Sequence, residues 1–157
     1  MANSKKEQLK QQVITGAREY GIGSVLFRHV VGEKLGVNVT DMECLGLIFL
    51  KGLATPSELA KLTGLSSGAT TAMLDRLERS GLIERRPNPN DRRSTHIVIV
   101  QQTASKIGPL FASLREAQDK IVSSYSEAEL ELLADFFRRS VAMWEEEREK
   151  LIKRQGD

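Results

Sequence analysis

The stretch that decides the fold runs from residue 55 to residue 100 and reads TPSELAKLTGLSSGATTAMLDRLERSGLIERRPNPNDRRSTHIVIV. Its first four residues, Thr55 to Glu58, have the pattern of a capping box with proline at the first helical position, so we expect a helix to begin there. Gly64 can adopt the positive φ with which many helices end. These residues predict a short helix followed by a tight turn.

A second helix is predicted after the turn, with Ser66 as its N-cap. The helical spacing of its apolar side predicts one buried face, formed by Thr70, Met73, Leu74 and Leu77. The opposite face carries small and hydroxyl-bearing residues, namely Ser67, Gly68, Ala69, Thr71, Ala72 and Asp75. Such a helix can approach a DNA major groove closely, where hydroxyl groups meet bases or phosphates. We interpret this face as a DNA-reading surface; the alternative is a polar face exposed only to water.

A β-hairpin is predicted after Gly81, with a first strand at residues 82–86 and a β-branched partner at 95–100. The tip between them is polar and reads Asn88, Pro89, Asn90, Asp91, Arg92, Arg93. Residues 75–93 contain six arginines and four acidic residues, an excess that equals the net charge of +2 on the whole chain. Arginine suits phosphate contacts and narrow minor grooves, whereas a carboxylate facing DNA would be repelled. We therefore expect Asp91 to position a neighbouring arginine and not to touch the duplex.

The order of these elements predicts a winged helix-turn-helix, and particular residues within it resemble the MarR family of bacterial regulators. The resemblance rests on residues 77–85 (LERSGLIER), on Asp91, Arg92 and Arg93, and on residues 97–99 (IVI). It extends over nearly the whole chain, as a long first helix, the winged helix-turn-helix and two long C-terminal helices. It implies a homodimer on double-stranded DNA, with recognition helices in successive major grooves and wings in the flanking minor grooves. By the same resemblance, Arg93 is the minor-groove residue and Arg92 a phosphate contact.

The sequence thus offers one set of candidate DNA-binding residues. They are Ser66, Ser67, Gly68, Thr70, Thr71, Asp75, Arg76, Arg86, Arg92 and Arg93, with Asp91 as the wing-positioning residue.

The chain departs from the family pattern after the second wing strand. Residues 99–103 read IVQQT, where the family often has Leu-Thr, and Gly108 and Pro109 follow. Proline inside a helix removes a backbone hydrogen bond and clashes with the preceding turn. We expect a kink or a late helix start near these residues.

The C-terminal part predicts a dimer core. A capping box at Ser126 and Glu129 begins a helix with apolar residues at helical spacing. These are Leu130, Leu133, Phe137, Val141, Trp144 and Leu151, and the first helix adds Val13, Ile14, Val25, Leu26, Val30 and Val31. One chain offers little to cover so long a stripe, which favours a symmetric dimer over the alternative of an intrachain helix pair. Residues 126–150 carry eight acidic and four basic residues, so this end should face away from phosphate.

The composition indicates one compact unit. The chain has 157 residues, of which 40% are hydrophobic and 5% aromatic, so an aliphatic core is expected. No apolar stretch approaches the roughly 20 residues that span a bilayer, and residues 2–12 lack the apolar region of a signal peptide. We expect a cytoplasmic protein with no membrane partner.

The predicted fold is mainly α with a small β-hairpin wing, as a single MarR-like domain over 1–157. Dimerisation helices occupy 5–36 and 104–155, and the winged helix-turn-helix occupies 40–101.

The first two helices carry residues that could line a mostly apolar cleft for a small phenolic or lipophilic effector. They are Tyr20, Arg28, His29, Met42 and Phe49. Each also has an ordinary alternative role, in the core, in an ion pair or as an exposed side chain. An effector that prefers one arrangement of the dimer would change the spacing of the reading helices and hence operator affinity.

The favoured function is therefore a ligand-responsive homodimeric repressor that binds a near-palindromic operator. One alternative is a helical protein-interaction module in which Arg92 and Arg93 are only solvated. Another is a thiol-based redox regulator that uses Cys44, the only cysteine. One cysteine and two histidines, His29 and His96, exclude an intrachain disulfide and make a metal site unconvincing. We find no nucleophile elbow, phosphate loop or convergent acid and base, so no enzyme activity and no cofactor are expected.

Overall fold

The structure, a computed structural model, describes residues 4–52, 54–89 and 91–154, with the backbone alone at 91–93 and 154. Contacts within the chain form two units, Met1–Leu110 and Phe111–Asp157. The first unit contains α1 (Lys5–Leu35), α2 (Val39–Lys51), α3 (Pro56–Thr63), α4 (Ser67–Arg79), β1 (Ile83–Asn88), β2 (Asp91–Ile99) and α5 (Gln101–Leu110). The second contains α6 (Ala112–Val122) and α7 (Glu127–Arg154). The predicted fold class, mainly α with a β-hairpin wing, is confirmed. The assignment of 5–36 and 104–155 to dimerisation stays a prediction.

The helix-turn-helix forms because local side chains satisfy its helix ends. The Thr55 hydroxyl accepts a hydrogen bond from the Glu58 amide at 3.3 Å, and the Glu58 carboxylate accepts one from the Thr55 amide at 2.8 Å. Gly64 ends α3 with φ at 73°, and the Ser66 hydroxyl accepts from the Ala69 amide to cap α4. The predicted capping box, turn and N-cap are all confirmed.

An aliphatic core lies beneath α4. The face predicted to be buried is buried in full, since Thr70, Met73, Leu74 and Leu77 are each at most 2% exposed. Other residues that are almost completely buried come from the surrounding elements and include Leu45, Ile48, Leu59, Ile83 and Ile97. The expected aliphatic core is thereby confirmed.

The wing is an antiparallel hairpin that is longer than the sequence predicted. Its ladder pairs Arg85 with Ile97 and continues to a pair between Asn88 and Asp91, with an irregularity between Pro87 and Asn88. Most of the residues assigned to the polar tip therefore belong to the strands. Proline, asparagine and aspartate suit a tight turn, which lets the two strands pair close to the tip. Asn90 lies outside the described residues.

A third segment joins the hairpin at its base. Ala54 pairs with Ile97 in an antiparallel bridge, with backbone N···O distances of 3.1 and 2.7 Å. Because Ala54 immediately precedes the N-cap of α3, the bridge attaches β2 to the first helix of the helix-turn-helix. This contact was not predicted from the sequence.

One residue assigned to the dimer stripe lies in the core instead. Val31 is 3% exposed, and the next residue, Gly32, accepts a hydrogen bond from the Val37 amide. A Cβ at Gly32 would lie only 3.0 Å from the Val37 carbonyl oxygen and 3.6 Å from the Met42 Cβ. The missing side chain thus allows the end of α1 to pack closely on the start of α2. This packing buries Val31, so its placement on the dimer surface was wrong.

The helix after the wing is interrupted near Pro109, as expected. α5 ends at Leu110 and α6 begins at Ala112. Pro109 lies inside α5, one residue before its end, and has no amide hydrogen to donate, so the helix lacks one backbone hydrogen bond close to the break.

In the second unit, the capping box at the start of α7 is confirmed. The Glu129 carboxylate accepts from the Ser126 amide at 2.8 Å, and the Ser126 hydroxyl accepts from the Glu129 amide at 3.4 Å. The apolar stripe of α7 remains largely exposed, and Trp144 is 70% exposed. Across the described part of the chain, no helix combines the length and the apolar character that a membrane crossing requires.

Candidate nucleic-acid interface

The predicted DNA-reading surface is exposed. We call it the reading face, and it consists of Ser67, Gly68, Ala69, Thr71, Ala72 and Asp75 on α4, all of which are exposed. The Thr71 hydroxyl donates to the Ser67 carbonyl at 3.0 Å, which uses its hydrogen and leaves its oxygen able to accept a hydrogen bond. Ser66, the N-cap, is also exposed. The face has small side chains, so a duplex could approach the helix backbone closely.

The prediction that Thr70 binds DNA was wrong, because this residue is buried. Its side chain is 2% exposed, and its hydroxyl donates to the Ser66 carbonyl at 3.0 Å. This internal bond satisfies the hydroxyl group and allows threonine to pack in the core where a purely apolar residue would also fit. Thr70 offers no surface to DNA.

Arg76 lies at the edge of the reading face but is bound to another helix. Its Nε and Nη2 atoms donate to the two carboxylate oxygens of Asp41 on α2, at 3.1 and 2.7 Å. The Asp41 side chain is 4% exposed and that of Arg76 is 44% exposed. The hydrogen bond to Asp41 raises the pKa of Arg76. Asp41 thus fixes the position of Arg76, a role that the sequence analysis missed.

Asp75, the acidic member of the reading face, is bound by an arginine of the wing. Arg85 Nη2 donates to Asp75 Oδ1 at 2.6 Å, and Arg85 Nη1 bonds to the Glu78 carboxylate. Partial burial opposes the charge on Arg85, but the bonds to Asp75 and Glu78 outweigh it and the pKa of Arg85 is raised. The spacing of Asp75 and Glu78, three residues apart on one helix, was the available sequence signal for this cluster.

The remaining arginines near α4 have different surroundings. Arg86 is exposed and forms an ion pair with Glu84 on the same strand. Arg79 donates to the Asp75 carbonyl at 3.2 Å. The side chains of Asp91, Arg92 and Arg93 lie outside the described residues, so their roles at the wing stay predictions.

Comparison with known proteins identifies a family for the chain. The family model described as "MarR family" matches residues 37–95. An uncharacterised HTH-type transcriptional regulator of Bacillus subtilis, YcgE, is 40% identical over 95% of this chain and 96% of its own length. The chain belongs to the MarR family. MhqR, an HTH-type transcriptional regulator of the same organism, is 26% identical over 85% of this chain and 91% of its own.

Solved structures of MarR-type proteins share the fold. Streptococcus pneumoniae FabT in complex with DNA superposes with a TM-score of 0.65 at 20% identity, over 87% of this chain and 98% of FabT. Wild-type MarR of E. coli in its apo form gives a TM-score of 0.54 at 22% identity, over 83% and 94%. The expectation that the protein is not an enzyme agrees with its membership of a family of transcriptional regulators.

The residues proposed to bind an effector have separate surroundings in this MarR-family chain. Met42 is 3% exposed and belongs to the core beneath α1, so its assignment as a ligand contact was wrong. Arg28 donates to Glu43 at 2.8 Å and to Ser24 at 2.6 Å, an ion-pair role. His29 Nε2 lies 3.5 Å from the Glu33 carboxylate. Tyr20 and Phe49 are exposed. Effector binding by the four remaining residues stays a prediction.

An open cleft of about 630 Å³ lies in the first unit, between the start of α2 and the outer side of α4. Its lining residues are Asn38, Val39, Thr40, Leu65, Ala69, Ala72, Met73 and Arg76. It borders the reading face and not the side of α1 and α2 that the sequence indicated.

Cys44 is unsuited to redox sensing in this MarR-family regulator. The thiol is completely buried, and burial, with a smaller contribution from the charge of Asp41, raises its pKa to about 12. A buried thiol that stays protonated reacts poorly with oxidants, because the thiolate is the nucleophile. Within the described residues, no group of three or more His, Cys, Asp and Glu side chains could hold a metal ion.

Proposed function

We propose that this protein, a transcriptional regulator of the MarR family, is a homodimeric repressor that binds a near-palindromic operator, and that a small effector changes its operator affinity. The observation that carries the proposal is the reading face, which is exposed along α4 and adjoins the hairpin through Arg85 and Asp75. FabT, which shares the fold, is known in complex with DNA.

The reading face would lie in the major groove. Ser66, Ser67, Gly68 and Thr71 are at the N-terminal half of α4, where small and hydroxyl-bearing residues let bases and phosphates approach. The positive end of the helix dipole favours phosphate at the same position. Arg93 would enter the flanking minor groove, while Arg92 and Arg86 would contact phosphates.

The homodimer is supported by large apolar side chains that are exposed on α1 and α7. On α1 they are Leu9, Val13, Ile14, Val25, Leu26 and Val30, and on α7 they are Phe137, Val141, Trp144 and Leu151. Every one of them is at least 43% exposed, and large exposed apolar surfaces usually mark interfaces. A twofold axis would set the half-sites about 34 to 36 Å apart, or a multiple of that distance, on the operator.

The effector would act by favouring one spacing of the two reading faces. Tyr20, Arg28, His29 and Phe49 are the candidate contacts, and a small phenolic or lipophilic compound matches their mixture of aromatic and polar groups. Binding changes the equilibrium only as far as the compound prefers one arrangement. The proposed place of action is the cytoplasm, where a bacterial chromosome is accessible.

The proposal is tested by titrating a selected operator fragment with the purified protein at salt concentrations between 50 and 200 mM. Six to ten phosphate contacts predict an affinity loss of about 10³-fold or more over that range. Arg93→Ala should weaken binding, whereas the charge-matched control Arg139→Ala on α7 should not. Failure to bind any duplex even at 50 mM salt would contradict DNA binding and favour the other candidate, a protein-interaction module.

A further inference from the structure

Arg85, on the first strand of the hairpin, is bonded to two acidic residues of α4. Its guanidinium bonds to Asp75 at 2.6 Å and to Glu78, both on α4, while Arg85 itself belongs to β1. The Arg85 amide also donates to the Glu78 carboxylate at 3.2 Å. The side chain is 28% exposed, so the bonds are partly screened from water. Because the guanidinium is planar and rigid, bonds from it to two carboxylates fix the orientation of the Arg85 side chain as well as its distance from α4.

The position of Arg85 in the hairpin makes this connection effective. Arg85 is paired with Ile97 in the ladder, and Ile97 is completely buried and bridged to Ala54. The bonds to α4 are thus made where the hairpin is already bridged to Ala54, the residue before the N-cap of α3. A rotation of the hairpin relative to α4 would have to break them.

The bond between Arg85 and Asp75 also changes the charge of the reading face. Its side chain is half exposed on the reading face, where an unpaired carboxylate would repel DNA phosphates. Arg85 bonds to both Asp75 and Glu78 and compensates one of their two negative charges. Arg85 is therefore occupied by carboxylates and is not a free cation for phosphate.

We propose that Arg85 is a positioning residue that holds the hairpin against α4, so that the reading face and the wing bind the operator as one rigid unit. The inference rests on the proposed DNA-binding function. Asp75 is then an anchor for the wing and not a base contact. A rigid unit makes the contacts of α4 and of the hairpin interdependent, because losing one set shifts the other.

The test is a double-mutant cycle on the full-length protein and the selected operator. Thr71→Ala removes a contact of the reading face and Arg93→Ala removes one of the wing. In the wild-type background we expect the combined loss of affinity to differ from the product of the single losses by about fivefold. In the Arg85→Ala background the difference should fall below about twofold, as for independent sites. The Arg139→Ala background, with the same change of charge, should keep the full difference.

A coupling in Arg85→Ala equal to that of the wild type, or no coupling in the wild type, would overturn the proposal. If Arg85→Ala does not fold, the Asp75→Asn, Glu78→Gln double variant replaces it, since it removes the charged acceptors and should also lose the coupling.

If the wild-type protein binds no duplex, the proposed function fails and the connection is tested without DNA. Hydrogen exchange at the amides of Arg85 and Ile97 should then be faster in the Asp75→Asn, Glu78→Gln variant. Unchanged exchange would overturn the role of Arg85 as well.

Discussion

Asp41 on α2 and Arg76 on α4 are joined by two hydrogen bonds of 2.7 and 3.1 Å, although 35 residues separate them in the chain. The carboxylate is almost completely buried, whereas the guanidinium remains nearly half exposed. The two partners therefore depend on each other unequally. Without Arg76, the carboxylate of Asp41 would be left buried and uncompensated, which is costly. Without Asp41, Arg76 could turn into water.

This asymmetry predicts that Arg76→Ala destabilises the protein more than Asp41→Asn does. Urea unfolding of both variants measures the two free energies. Arg79→Ala, which removes an exposed arginine that donates to the Asp75 backbone carbonyl, is the matched control and should have little effect. Equal losses for Arg76→Ala and Arg79→Ala would show that the pair with Asp41 contributes nothing.

The capping box at the start of α3 predicts a second effect on stability. Thr55→Ala removes the hydroxyl that accepts from the Glu58 amide, and such caps contribute about 1 kcal/mol. Unfolding experiments should show that loss. Ser57→Ala, at an exposed position in the same turn, should leave the free energy of unfolding nearly unchanged. A cap without a stabilising role would make the two variants indistinguishable.

The features that the sequence predicted correctly are those determined by neighbouring residues. The capping boxes at Thr55 and Ser126, the turn at Gly64 and the interruption at Pro109 each depend on the chemistry of a few consecutive positions. The buried face of α4 was predicted because helical periodicity identifies the residues that share one side.

The features that were missed or wrong depend on residues far apart in the chain. Periodicity shows that Val31 and Met42 are apolar and on a helix face, but not that α1 and α2 approach closely at Gly32. The bonds from Arg76 to Asp41 and from Arg85 to Asp75 require the tertiary fold, because charge counting treats each arginine as free. The bridge between Ala54 and Ile97 likewise joins segments that no local pattern relates.

The thiol of Cys44 predicts a specific pH dependence. Its pKa is about 12 in the folded protein and 9.0 ordinarily, so the unfolded thiol ionises first as the pH rises. A raised folded-state pKa gives stability that is present below pH 9 and is lost between pH 9 and 12. The wild type should therefore lose stability relative to Cys44→Ala above pH 9, by up to about 1.4 kcal/mol per pH unit. Parallel stability profiles for the two proteins would contradict the burial of this thiol.

Two substitutions separate the roles proposed for helix and wing. Thr71→Ala should mainly relax the preference for particular bases, because a hydroxyl or methyl contact to a base edge is lost. Arg93→Ala should weaken operator binding by about 1 to 3 kcal/mol, the range for a specific groove contact. Competition assays with single-base operator variants measure both effects. Wild-type affinity and base preference in both variants would refute the assignments.

Selection of duplexes from a random pool by the purified protein, followed by sequencing, tests the central claim most directly. A dimer that inserts two reading faces into successive major grooves predicts a near-palindrome with half-site centres about 10 to 10.5 base pairs apart, or a multiple of this spacing. Protein bound to one copy of the selected site should have twice the mass of the chain. Enrichment of no sequence at low ionic strength, or of an isolated half-site bound by a single chain, would contradict the account.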